Sequence, residues 1–131
     1  MISINLKTKT QVLEIAKKYK VIIDWDDDPN SLFQEKVSRN RRTLKIKTNL
    51  EPSEFDRLFE QHGVNYDIKR GQEMFIFNVL HGIGHFELCL WKPNTGNVTV
   101  DRLVNFDQDK KVDKWAYEQL KFFRTITNRT I

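Results

Sequence analysis

The chain has 131 residues, which fits one domain, and 39% of them are hydrophobic, enough for a core that needs no disulfide. The single cysteine, Cys89, excludes an internal disulfide and is interpreted as a small buried hydrophobic residue. No apolar stretch has the length of a signal peptide or a membrane-spanning helix, so we expect a soluble cytoplasmic protein without a membrane partner. The net charge of +4, with a basic cluster over 39–47, comes without any recognised nucleic-acid-binding motif, so no nucleic-acid partner is expected.

The first half of the chain alternates between helical and extended patterns. Apolar residues at helical spacing predict an amphipathic helix over 9–19, with Thr8 opening a capping box at its start. A short strand is predicted over 21–23, and the acidic segment 26–30 is interpreted as a solvated turn. Apolar residues alternate with lysines over 44–48, which predicts a half-buried strand along which an extended peptide can add.

The second half of the chain is mostly helical. One helix is predicted to begin at Pro52 and to end at the C-cap Gly63. The apolar segment 72–90 predicts a long buried helix, 98–100 predicts a strand, and apolar residues on one face predict a last helix over about 108–125. This order of helices and strands predicts a single α+β domain.

Two histidines on the predicted helix over 72–90 carry the first sign of chemistry. Four residues along an α-helix rotate the side chain by only about 40° net, so His81 and His85 lie on one face. Two imidazoles in this relation can bind one metal ion together. The alternative interpretation is a pair of partly buried histidines with no ligand.

The predicted C-terminal helix offers carboxylates to the same site. Asp109 and Asp113 are also four residues apart, and a site with two histidines commonly takes a carboxylate as its third ligand. In this interpretation Asp109 binds the metal, and Asp113 accepts the N–H of a ligating histidine and fixes its tautomer. Asp107 is the alternative third ligand, because a helix start read from sequence shifts by a few residues. Alternatively, both Asp109 and Asp113 are exposed residues favoured by the helix dipole.

These positions resemble the motifs of the ImmA/IrrE family, small zinc metallopeptidases of the gluzincin group. The family pattern F-x-x-x-H-E-L/I-G-H is matched at Phe77, His81, Ile83, Gly84 and His85. The weaker pattern E-x-x-A-N/D-x-F/W-A is matched at Asp113, Trp115 and Ala116, with Asp109 in place of the glutamate and Val112 in place of the first alanine. The resemblance covers about residues 40–120.

The resemblance implies a zincin-like domain in which a short mixed sheet packs on the metal-site helix and the C-terminal helix. It implies Zn²⁺ as the cofactor, with His81, His85 and Asp109 as ligands and Asp113 as the partner of a ligating histidine. Members of the family act on helix-turn-helix repressors in bacteria, phages and mobile elements. The resemblance therefore implies a protein partner or peptide substrate of that kind.

Gly82 stands where the family has its catalytic glutamate. That glutamate is the general base, which takes a proton from the attacking water and passes it to the leaving amine, and such a group contributes about 10²–10⁴-fold. Glu73 lies more than two helical turns from His81, and Glu87 lies about 240° round the helix, so neither replaces it. With Gly82, whether natural or introduced, we expect a zinc metallopeptidase that is impaired or inactive. The alternative is a non-enzymatic, protein-binding regulatory module that keeps the peptidase fold.

Overall fold

The structure, a computed structural model, describes residues 1–28, 35–91 and 93–129. In chain order its elements are β1 (Ile2–Ser3), α1 (Leu6–Lys18), β2 (Ile22–Asp26), β3 (Glu35–Ser38), β4 (Thr43–Lys47), β5 (Asn49–Leu50), α2 (Pro52–His62), α3 (Gln72–Glu87) and α4 (Val98–Arg129). The predicted α+β class and single small domain are confirmed. None of the helices in the described ranges is both long and apolar enough to cross a membrane.

The three-stranded sheet is mixed and has β4 at its centre. β2 pairs with β4 in parallel on one side, and β3 pairs with it antiparallel on the other. Leu44 and Ile46 of β4 are fully buried, whereas Lys45 between them is exposed, as the alternation in the sequence predicts. Because both edges of β4 are already paired, the expectation that a peptide adds along 44–48 is wrong. A separate two-stranded antiparallel sheet joins β1 to β5.

The start of α1 differs from the predicted one. Asn5 is the N-cap, and its side-chain oxygen accepts a hydrogen bond of 2.8 Å from the N–H of Thr8. Thr8 is therefore a buried residue inside the first turn and not the cap. Asparagine caps a helix as well as threonine does, so the capping-box pattern that begins at Thr8 was misleading.

The acidic segment after β2 is only partly solvated. Asp26 ends β2 and is buried, so the prediction of a solvated turn is wrong at this residue. Its side chain accepts a hydrogen bond from the N–H of Asp28, while Asp27 accepts one of 2.7 Å from the hydroxyl of Thr48. The bond between Asp27 and Thr48 ties the end of β2 to the end of β4. The remaining part of the segment, 29–30, lies outside the described residues.

The predicted strand over 98–100 is wrong, because these residues form the first turn of α4. The side chain of Asn97 accepts a hydrogen bond of 3.1 Å from the N–H of Val100, and its carbonyl accepts one from the N–H of Asp101. Valine and threonine favour strands by propensity, but a capping residue directly before them starts a helix here. As a result α4 begins ten residues earlier than the predicted start at 108 and has 32 residues.

The helix α3 lies at the centre of the domain, and eleven of its sixteen residues are buried. It ends at Glu87, three residues before the predicted end. Cys89 follows in the left-handed region, with a φ of 52°, and is exposed. The interpretation of Cys89 as a buried residue is wrong, because the chain turns away from the core immediately after the helix.

The contact between α3 and α4 leaves no room for a side chain at Gly84. A Cβ built on Gly84 would lie 2.9 Å from Cγ1 of Val112 and 3.0 Å from Cε3 of Trp115. Real Cβ atoms essentially never show a contact of 2.9 Å, and a contact of 3.0 Å is unusually tight, so the absence of a side chain at Gly84 lets α4 lie this close to α3. The glycine of the motif thus has a packing role directly beside His85.

We expect Gly84→Ala to lower the free energy of unfolding, measured by urea denaturation. Val112 is fully buried, and its branched side chain cannot easily rotate away. Overpacking of this kind costs about 1–3 kcal/mol, against a gain of about 1 kcal/mol from replacing a helical glycine with alanine. The same change in a Val112→Ala background should cost clearly less, because the clashing methyl group is gone. An equal loss in both backgrounds would contradict this packing role.

Candidate metal centre

Three ligand-type atoms from α3 and α4 converge at one place. Nε2 of His81 and Nε2 of His85 are 3.3 Å apart, and Oδ1 of Asp109 lies 3.6 Å from each of them. The two histidines stand on successive turns of α3, and Asp109 faces them from α4. These three residues form a group that can hold a metal ion.

The other ring nitrogen of each histidine faces an oxygen, and this fixes where the ring proton lies. Nδ1 of His81 is 2.6 Å from Oδ1 of Asp113, and Nδ1 of His85 is 2.7 Å from the carbonyl oxygen of Leu90. Because these oxygens accept hydrogen bonds, each Nδ1 carries the proton in the neutral ring, and each Nε2 then presents a lone pair. Both lone pairs belong to the nitrogens that face Asp109.

The carbonyl of Leu90 reaches His85 because of the way α3 ends. The N–H of Cys89 donates to the carbonyl of Phe86, and the N–H of Leu90 donates to the carbonyl of His85. With Cys89 in the left-handed region, these two bonds make a Schellman motif, in which glycine is the usual residue at the left-handed position. The motif folds the chain back so that the Leu90 carbonyl lies against the ring of His85.

Burial and neighbouring charges favour a neutral His85 and an ionised Asp109. Burial, and next the charge of His81, lower the pKa of His85, so this ring is neutral at neutral pH. Burial by itself would raise the pKa of Asp109, but its interactions with His81 and His85 lower it below the usual value. The side chains of His81, His85 and Asp109 are 16%, 12% and 29% exposed, so a ligand can reach the group from solvent.

His62 is a residue of this site that the sequence analysis missed. It is the last residue of α2, and its Nδ1 lies 3.0 Å from Oδ2 of Asp113. The buried carboxylate of Asp113 therefore contacts His81 with one oxygen and His62 with the other. In the sequence, a histidine before the C-cap Gly63 is what the helix dipole favours, and no spacing connects it to the His81 motif.

The other residues considered from the sequence lie elsewhere. Asp107 is two-thirds exposed and pairs with Lys111 at 3.1 Å, so the structure does not bring it to the metal-ligand group. Glu87 is exposed and lies 4.0 Å from Arg42. Gly82 is buried on α3 directly after His81 and offers no side chain to the site.

The chain matches no protein-family model, no curated protein and no solved structure. The resemblance to the ImmA/IrrE family therefore stays a prediction that rests on the motif residues.

Glu73 forms hydrogen bonds with Arg124, which lies near the C-terminal end of α4. Its carboxylate accepts a hydrogen bond of 3.1 Å from Nε of Arg124 and one of 3.0 Å from the N–H of Lys69. Burial alone would raise the pKa of Glu73 above its ordinary value of 4.5, but these hydrogen bonds lower it. A carboxylate with a lowered folded-state pKa stabilises the fold above its unfolded-state pKa, and this contribution is lost as the pH falls through the folded-state value.

We expect Glu73→Gln to lower the free energy of unfolding at pH 7 by about 1–3 kcal/mol, the usual size for a hydrogen bond to a charged group. The difference from the unaltered protein should shrink towards zero as the pH is lowered through the folded-state pKa of Glu73. Glu87→Gln is the matched control, since an exposed pair such as Glu87 with Arg42 contributes about 0–1 kcal/mol. A loss of unfolding free energy of the same size at every pH would show that the charge of Glu73 does not stabilise the fold.

Proposed function

We propose that this chain is a metallopeptidase-type domain that binds Zn²⁺ through His81, His85 and Asp109, and that Gly82 leaves its peptidase chemistry impaired. The observation that carries the proposal is the convergence of two imidazole lone pairs and one ionised carboxylate oxygen. Three acceptors so close together repel one another unless a positive charge, from a ring proton or a metal cation, lies between them. A bound metal cation would supply that charge to all three atoms at once.

The spacing of the three atoms fits a tetrahedral ion. Two ligands about 2.0–2.1 Å from a zinc ion, at the tetrahedral angle, lie about 3.3–3.4 Å from each other. The two Nε2 atoms are 3.3 Å apart, and the Asp109 oxygen at 3.6 Å from each needs only a small inward shift. Aspartate is one methylene shorter than the family's glutamate, and the close approach of α4 at Gly84 supports its reach.

The proposed chemistry follows from the ligand count. Three protein ligands leave a fourth position for water or substrate, where a bound zinc ion would polarise a carbonyl and acidify water. His81 and His85 would keep their Nε2 lone pairs directed at the ion through the acceptors on their Nδ1 atoms. The step that Gly82 cannot perform is proton transfer between the attacking water and the leaving amine.

The resemblance to ImmA/IrrE proteins supports a protein partner, and a helix-turn-helix repressor is the partner we propose. Because Gly82 removes the general base, a second function is also supported: a regulatory module that binds such a repressor without cleaving it. Repressor binding by a double variant, His81→Ala with His85→Ala, distinguishes these two functions. Repressor binding that survives in this variant favours the module, whereas its loss ties binding to the metal.

We expect the purified protein, stripped with a chelator and dialysed against Zn²⁺, to retain about one zinc per chain in elemental mass spectrometry. Iron is measured in the protein before it is stripped, because two histidines and a carboxylate also suit non-haem iron. Asp109→Ala should weaken zinc binding by more than the about 10–100-fold typical of residues that only support a ligand. Asp107→Ala is the matched control, an exposed carboxylate on the same helix, and should bind like the unaltered protein. Failure of the unaltered protein to hold zinc would refute the proposal.

We expect Gly82→Glu to gain peptidase activity, measured as release of labelled peptides from fluorescein-casein. Gly82→Gln is the control, because it adds the same volume at a buried position but no base. The glutamate variant should exceed the glutamine variant by about 10²–10⁴-fold, the usual contribution of a general base. Equal rates in two zinc-loaded, folded variants would contradict the peptidase form of the proposal and leave the binding module.

A further inference from the structure

The carboxylate of Asp113 is shared between two imidazoles that come from different helices. Oδ1 lies 2.6 Å from Nδ1 of His81, and Oδ2 lies 3.0 Å from Nδ1 of His62. The side chains of His62 and Asp113 are 8% and 7% exposed, so solvent has little access to this contact. Both oxygens of a buried carboxylate thus face an N–H donor, one on α3 and one on α2.

The position of His62 is fixed by the packing of α2. Phe59, one turn before it, meets the ring of Phe77 on α3 edge-on at 5.6 Å between centroids. Gly63 ends the helix directly after His62 with a φ of 68°, and its N–H donates to the carbonyl of Glu60. The imidazole also lies edge-on to Phe106 at 4.9 Å. The ring of His62 is therefore held between α2 and α4 and aimed at Asp113.

We propose that His62 is a positioning residue of the metal centre, which acts through Asp113 to fix the orientation of the ligand His81. This inference rests on the proposed metal site and deepens it. The N–H of His62 occupies Oδ2 and holds the carboxylate plane, so that Oδ1 stays on Nδ1 of His81. That contact keeps the Nε2 lone pair of His81 directed towards His85 and Asp109.

The reason lies in the cost of a buried acceptor without a donor. If His62 is replaced by an apolar residue, Oδ2 of Asp113 loses its hydrogen bond in a place with little water. The carboxylate of Asp113 then becomes more stable if it turns towards another donor. In that case His81 loses the fixed partner that sets its tautomer and the orientation of its ring. Partners of this kind typically change metal affinity by about 10–100-fold when they are removed.

The test measures zinc affinity by competition with a chromophoric chelator for His62→Leu and His62→Asn. The amide nitrogen of asparagine can take the place of Nδ1, so we expect His62→Asn to bind zinc almost as the unaltered protein does. His62→Leu should bind about 10–100-fold more weakly. The absorption spectrum of the Co²⁺-loaded protein reports ligand geometry directly, and it should change in the leucine variant and be restored in the asparagine variant.

A second comparison tests whether His62 acts through Asp113. In an Asp113→Leu background, His62→Leu should cause no further loss of zinc affinity, and a full additional loss would overturn the inference. Thermal unfolding of the metal-free variants separates a merely structural role: a lower Tm with unchanged zinc affinity and cobalt spectrum would also overturn it. If the unaltered protein binds no zinc, the metal site itself is refuted. If it binds zinc and His62→Leu binds equally well, only the role of His62 is refuted.

Discussion

The close contact of α3 and α4 at Gly84 determines where the atoms of the candidate metal site lie. Gly84 directly precedes His85 on α3, and the side chains that fill its space, Val112 and Trp115, flank Asp113 on α4. A side chain at Gly84 would push α4 away at the level of the site. Asp109, the proposed third ligand, has a short side chain, so an outward shift of α4 would move its oxygen away from the two imidazoles. The packing at Gly84 therefore also sets the geometry of the candidate metal centre.

Much of the fold could be predicted where local signals and tertiary packing agree. Pro52 and Gly63 marked the bounds of α2, and the alternation over 44–48 marked the buried and exposed faces of β4. The misses have two physical causes: one local signal competes with another, or a distant pairing leaves no local signal. At 98–100 the strand propensity of valine and threonine was outweighed by the cap of Asn97. The pairing of β1 with β5 joins residues more than 40 positions apart, and such short strands leave no periodic pattern.

The candidate site, too, could be predicted from the sequence only in part. The spacing of four residues placed His81 with His85, and Asp109 with Asp113, on single helix faces, because helical rotation alone decides this. The spacing could not show that these faces meet. The two groups that complete the arrangement, the Leu90 carbonyl beside His85 and the His62 imidazole beside Asp113, come from features with weaker signals. The Leu90 carbonyl is a backbone atom, positioned by a turn at Cys89 where a sequence pattern expects glycine.

The buried polar contacts at the candidate site do not by themselves stabilise the fold. A buried carboxylate held between two imidazoles stabilises a domain no better than apolar side chains of the same volume would. Gly82 adds to this cost, because a glycine inside a helix is about 1 kcal/mol less favourable than alanine. The polar contacts of His62, His81 and Asp113 are therefore not explained by the stability of the fold. In the proposed metal site they have a role, since each contact directs the His81 lone pair or supports the group that does. In the function proposed above, metal binding and peptide hydrolysis depend on separate residues, and Gly82 removes only the residue for hydrolysis.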